Sequence, residues 1–142
     1  MRRLIGVSVI LLLGMALMAT RAEAQVGGNR DRGSRLGPNY PNPFNPETTI
    51  PFSLLEEDFQ GGRPAVVTIK IYSVLLELVA HPTAIGRAGE EVNKLEYTDA
   101  GKYTAFWNGY DRRGRKVGSG VYIVQLEING RNVSSQKILV TK

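Results

Sequence analysis

The 142-residue chain has no cysteine and a single histidine, His81. Without thiols there is no disulfide framework, no thiolate metal site, no cysteine nucleophile and no amino-terminal lipid anchor on cysteine. One imidazole excludes a multi-histidine metal centre and leaves little for histidine-based acid–base chemistry. Convincing helical periodicity is missing after the first residues, and no later apolar run is long enough to span a bilayer. What is present is ordinary for one globular domain, with 42% hydrophobic and 22% charged residues and a net charge of +5.

Met1-Arg2-Arg3 is a basic start, Leu4–Ala19 carries no charge, and Ala22 and Ala24 form a small-x-small site. Basic, then apolar, then small-x-small is the layout of a secretory signal peptide over residues 1–24. The apolar run of 16 residues falls short of the roughly 20 that a spanning helix needs, so no stable membrane span is expected after cleavage. Loss of Arg2, Arg3, Arg21 and Glu23 lowers the net charge from +5 to +3. That remaining charge, spread over a mixed surface, is not the clustered stripe that nucleic acid requires, and no nucleic-acid partner is expected.

Residues 25–37 (QVGGNRDRGSRLG) read as a flexible leader whose arginines Arg30, Arg32 and Arg35 are solvated. The domain is expected over 38–142. It opens with four prolines in nine residues, Pro38 to Pro46. Proline fixes φ and removes N–H donors, so this segment is stiff without being helix or sheet. Either Tyr40 and Phe44 dock it on the edge of a core, or it is a proline-rich ligand for an aromatic groove on a partner.

From Thr49 onward the hydrophobic period is two. Strands are predicted over Thr49–Leu54, Val66–Val74, Leu75–Ala80, Val92–Tyr97, Lys102–Trp107, Val121–Ile128 and Val133–Thr141. Pro51 assigns the first to a sheet edge or a strand start. Asn129-Gly130 is a hairpin signal because both positions tolerate positive φ. Gly120 suggests a bulge or a close backbone approach. About seven short strands separated by turn chemistry predict an all-β fold, an immunoglobulin-like antiparallel β-sandwich. Asp99–Tyr103 is similar to a tyrosine corner, with Tyr103 either making that bond or packing as an ordinary edge tyrosine. Ala105 stands at the place of the immunoglobulin cysteine, which excludes an antibody-type domain.

Candidates for chemistry are few. His81 precedes Pro82 in a predicted loop with no spacing that suggests a serine triad. Glu56-Glu57-Asp58 is either an acid–base or metal cluster or a solvated loop. Asn108 and Asp111 could offer oxygen ligands to calcium, although one acidic side chain is too few for a tight site. Arg112, Arg113, Arg115 and Lys116 concentrate positive charge on one turn, either solvated or facing an anionic surface. Tyr97, Tyr110 and Tyr122 are candidates for a glycan platform. The final hairpin offers a strand edge to a partner. No catalytic residue, metal or cofactor is expected.

The segment Pro41-Asn42-Pro43-Phe44-Asn45-Pro46, followed by Thr48, Ile50 and Phe52, resembles the opening of the carboxy-terminal sorting domains of the type IX secretion system. It equally resembles the related immunoglobulin-like domain of flagellar hook-cap proteins. The likeness continues through Val67–Leu75, Tyr103, Trp107-Asn108-Gly109, Asp111, Gly114, Gly118–Tyr122 and Gln136–Val140. In two places the chain departs from it. Leu76 replaces a glycine usual after the Val-Leu pair, and residues 81–99 form a longer connection. The resemblance implies a non-enzymatic module, exported by a bacterium to the periplasm, cell surface or medium. Gly120, Tyr122 and Lys137 would be the positions read by an outer-membrane secretion apparatus, and a surface glycolipid would be a further partner. The hook-cap likeness implies self-assembly as a structural subunit instead. A sorting domain normally ends a long exported protein, whereas the only candidate cargo here is Gln25–Gly37.

Overall fold

In a computed structural model the described residues are Arg35–Lys142. The expected signal peptide and most of the expected leader lie outside them. Eight strands follow in order: β1 Thr48–Leu54, β2 Ala65–Tyr72, β3 Leu78–Ala80, β4 Thr83–Ala84, β5 Leu95–Tyr97, β6 Gly101–Trp107, β7 Gly120–Ile128 and β8 Arg131–Val140. Two single 3-10 turns, Glu56–Asp58 and Gln60–Gly62, are the only helical pieces among the described residues. None is long and apolar enough to cross a membrane.

The strands form two antiparallel sheets. One has the order β1-β6-β4, and the other β3-β2-β7-β8 with β5 also pairing β2. Alternation explains why both sheets have an oily face. In β1, Thr48, Ile50, Phe52 and Leu54 are buried while the residues between them are half-exposed. Ala105 and Trp107 of β6 join Ile50, Phe52 and Leu54 in one hydrophobic cluster with Val67, Ile69 and Ile71 of β2, Val124, Leu126 and Ile128 of β7, and Ile138 and Val140 of β8. The two sheets therefore share one core.

The sequence places most of these elements, with differences that have physical causes. The strand expected from Leu75 starts only at Leu78, because Ser73–Glu77 is a tight turn closed by Ser73 N–H to Glu77 O (3.0 Å) and Leu76 N–H to Ser73 O (3.0 Å). Residues 81–99, expected to be a long connection with one strand over Val92–Tyr97, contribute two short strands, β4 and β5, and bury Ala84, Val92 and Tyr97. At Asn129-Gly130 the φ angles are 51° and 79°, and Ile128 pairs Arg131 across a two-residue turn, as the hairpin signal predicts.

Residues before Pro38 already pack on the domain. Leu36 is fully buried, and its neighbour Arg35 is buried rather than solvated, with its guanidinium on the Asp58 carboxylate and its Nε on Ser53 O (3.1 Å). The sequence offered Leu36 too little apolar company to mark it as core. Its company comes from β1, since Ser53 N–H donates to Arg35 O (2.8 Å) and Gly37 N–H to Pro51 O (2.8 Å). Residues 35–40 thus run along the outer edge of β1, the edge position that Pro51 predicts.

Candidate functional site

The proline segment is docked, as one of its two readings expects, but of its two aromatic side chains only Phe44 enters the core. Phe44 is fully buried, whereas Tyr40 is 57% exposed. Behind it lies a buried polar brace. Asn39 Nδ2 donates to Thr48 Oγ1 (3.0 Å) and to Pro41 O (3.2 Å), and Thr48 Oγ1 donates to Pro41 O (3.0 Å). A carbonyl freed from secondary structure by the prolines is thereby satisfied inside the protein.

Four stretches far apart in sequence meet where Phe44 enters the core. The Phe44 ring stands edge-on to Trp107 (centroids 5.5 Å apart), and Trp107 stands edge-on to Tyr122 (5.6 Å). Such pairs add about 0.5–1.5 kcal/mol to the burial of the rings themselves. The Phe44 backbone grips the end of the chain, with Phe44 N–H on Leu139 O (3.0 Å) and Thr141 N–H on Phe44 O (2.9 Å). Asn42 Oδ1 accepts from Leu139 N–H (3.3 Å). Trp107 Nε1 donates to Tyr110 O (3.0 Å), tying the indole to its own turn. Gly109 has φ +78°, and any β-carbon there would collide with the Pro46 carbonyl. Pro41–Pro46, Trp107–Gly114, Gly118–Tyr122 and Ile138–Thr141 are one assembly at one end of the domain.

Tyr122 and Gly120 belong to a local motif that occurs twice. Tyr103 donates its hydroxyl to Asp99 O (2.5 Å), which is the tyrosine-corner bond, and Tyr122 donates to Gly118 O (2.8 Å) over the same four-residue spacing. Each tyrosine follows a glycine two residues earlier, Gly101 at φ +150° and Gly120 at φ +143°. Both glycines lie in backbone territory that side chains avoid. At Gly120 there is no bulge, and nothing lies within 4 Å of the place a β-carbon would take, so conformation rather than space demands the glycine. Burial pushes the Tyr103 and Tyr122 hydroxyls above the ordinary tyrosine range.

The three positions expected to be read by an export apparatus do not form one patch. Tyr122 pairs Ile138 and faces the core with it, while Lys137 pairs Ile123 on the outer face. Beside Lys137 on that face, Val121 and Leu139 are paired and partly exposed, each at 39%. Nor is the end of β8 an open edge. Phe44, Asn42 and the Gln136 Nε2 bond to Gly37 O (2.9 Å) already occupy it.

The basic turn is built on Asp111. Its Oδ1 accepts from Arg113 N–H (2.8 Å) and Arg115 N–H (3.0 Å), and its Oδ2 from Arg115 Nε (3.1 Å). The Arg115 N–H first, then the other donors, hold the Asp111 carboxyl below its usual range. Asn108 Oδ1 accepts from Tyr110 N–H (3.0 Å). The oxygens considered for calcium are therefore engaged by the turn itself. Arg112, Arg113, Arg115 and Lys116 are all exposed.

The remaining candidates are dispersed. His81 Nδ1 is 2.8 Å from Ile69 O, tying the ring to the backbone of β2. Asp58 caps its own turn by accepting from Leu55 N–H (2.7 Å) and pairs with Arg35, while Glu56 and Glu57 are exposed. Among the described residues no three acidic or histidine side chains are grouped to hold a metal ion. Tyr97 is buried against Phe52 and Tyr103, and Tyr122 lies against Trp107, so of the three tyrosines Tyr110 alone is well exposed. An open groove of about 490 Å³ runs past His81, Glu91, Tyr110 and Arg112. Another, of about 970 Å³, lies between Arg35, Arg63 and the Asn129-Gly130 turn.

One exposed feature is absent from the candidates that the sequence suggests. Val74, Leu75 and Leu76 project from the β2–β3 turn at 64%, 78% and 70% exposure. The signal was there in the break of alternation, three large apolar residues in a row where a turn had to be.

No protein-family model matches the chain, and no curated protein matches it. Among solved structures it is similar to the Pseudomonas fluorescens alkylpurine DNA glycosylase AlkC bound to DNA containing an abasic site analog, at a TM-score of 0.37 and 12% identity. That alignment covers 68% of this chain and 25% of the glycosylase chain.

Proposed function

We propose that the chain is a non-enzymatic exported module. It is an immunoglobulin-like sandwich that an outer-membrane secretion apparatus grips, in the manner of the sorting domains its motifs resemble. The observation that supports this most is the convergence on Phe44. The motif residues of four separated stretches lock one another and the carboxy-terminal end of β8 at one end of the domain. A tag must present a fixed shape to be read, and this end is fixed by rings, by a glycine contact and by main-chain bonds.

Because residues 139–141 are already hydrogen-bonded to the Phe44 segment, the apparatus does not add a strand there. It reads side chains on the outer face, of which Lys137 is the charged one beside Val121 and Leu139. The test is a fusion of Asp31–Lys142 behind a periplasmic reporter, in a bacterium carrying a type IX system. Reporter in the medium or on the cell surface is the expected result, with Lys137→Glu retained inside. A wild-type fusion that stays periplasmic refutes the sorting role.

A second reading, a structural subunit that assembles through the outer face of β7 and β8, follows the hook-cap likeness, and Val121 and Leu139 are paired on that face. Size-exclusion chromatography separates the two, since assembly predicts an oligomer that Leu139→Lys dissolves.

A further inference from the structure

The β2–β3 turn carries a backbone cost at its most oily point. Its three-residue loop, Val74–Leu76, is closed by Leu76 N–H on Ser73 O and Ser73 N–H on Glu77 O and ends in a left-handed residue, the position at which three-residue hairpin loops ordinarily use glycine. Here that residue is Leu76, at φ 60° and 70% exposed. A bulky side chain in left-handed conformation is an outlier, and its exposure means no core packing offsets it. Three exposed apolar side chains in succession, one of them held in a strained backbone, are not explained by folding.

What lies beside them supplies the chemistry. Arg112 N–H donates to Val79 O (2.9 Å), which attaches the basic turn directly to β3, three residues beyond Leu76. Arg112, Arg113 and Lys116 are in no ion pair among the described residues, and Arg115 shares Asp111 while remaining 67% exposed. Glu77 is the acidic group next to the tip. We propose that Val74–Leu76 and the Arg112–Lys116 turn together form a docking site for an anionic lipid surface. The three apolar side chains enter the boundary between headgroups and acyl chains, and the cations rest on the headgroup charges. A narrow finger of three residues is too small for a stable protein interface, which needs about 800 Å² from each partner. A fluid apolar medium with a negative margin matches both its size and its charge. This holds whether or not the module is a sorting signal.

The test uses Asp31–Lys142, which contains the whole described core and lacks the apolar residues 4–19 that would enter lipid on their own. Sedimentation with vesicles of equal parts phosphatidylglycerol and phosphatidylcholine is compared with pure phosphatidylcholine. The protein pellets with the anionic vesicles, not with the neutral ones, and is released by about 0.5 M salt. Leu75→Ser, at a residue 78% exposed, lowers the bound fraction about tenfold or more with an unchanged circular-dichroism spectrum, as does glutamine at all four cations. Leu76→Gly lowers it while raising the melting temperature. Failure of the wild type to pellet with anionic vesicles overturns the proposal, and so does equal pelleting of Leu75→Ser. A soluble dimer that Leu75→Ser breaks, with no vesicle binding, assigns the tip to a protein contact instead.

Discussion

The Pro46 carbonyl occupies the space that a β-carbon on Gly109 would need. This contact joins the proline segment to the turn after Trp107, and Gly109 also has φ +78°, so it carries two independent demands for glycine. Gly114 has only the second, with φ +75° and open space around it. Gly114→Ala should therefore cost about 1 kcal/mol and Gly109→Ala at least about 2 kcal/mol, read from urea midpoints. Equal costs would mean that the Pro46 contact is relaxed in solution.

Phe44 and Trp107 should behave as a coupled pair. Each is buried, so each alanine replacement is expected to cost about 3–5 kcal/mol. The double variant should fall short of the sum by about 0.5–1.5 kcal/mol, the edge-on ring contribution. Strict additivity would remove the ring contact from the account.

The two tyrosine bonds can be compared directly. Tyr103→Phe and Tyr122→Phe keep the packed ring and delete one hydroxyl, and each should lower stability by about 0.5–1.5 kcal/mol. No loss at either site would show that water replaces the bond freely.

Asp111 sets an acid limit on the basic turn. Its folded pKa lies below the unfolded value of about 3.9. The carboxylate therefore contributes stability that is complete above that value and is lost as pH falls through the folded pKa. The melting-temperature gap between wild type and Asp111→Asn should be constant from neutral pH down to about 5 and close below about 4. A gap that persists at the lowest pH would contradict this.

Much of the fold is legible in the sequence because period two marks which residues face inward. Ile50, Phe52 and Leu54 need no structure to be assigned to one face, and Asn129-Gly130 names its own turn. The faces of β7 relative to β8 are not legible. Counting back from that turn would set Tyr122 opposite Lys137. The register instead slips by one residue at Leu126, where Val133 is extra, and Tyr122 meets Ile138. A slip of one turns a strand over, so Lys137 goes outward and Tyr122 inward. The burial of Leu36 escaped for a related reason. Its partners come from β1 and from Ser134, whose Oγ accepts from Leu36 N–H (3.2 Å) across 98 residues. The exposed Val74–Leu76 tip is legible as a run of apolar residues, but its neighbourhood with Arg112 depends on a bond between distant segments.

Export of the reporter fusion tests the central claim most directly when the locked end is the variable. The amount of reporter outside the cell is measured for wild-type Asp31–Lys142 and for Phe44→Ala, with Tyr40→Ala, at an exposed residue of the same segment, as control. The account predicts export of the wild type and of Tyr40→Ala, and retention of Phe44→Ala. Export of Phe44→Ala at the wild-type level, or retention of all three, would contradict it.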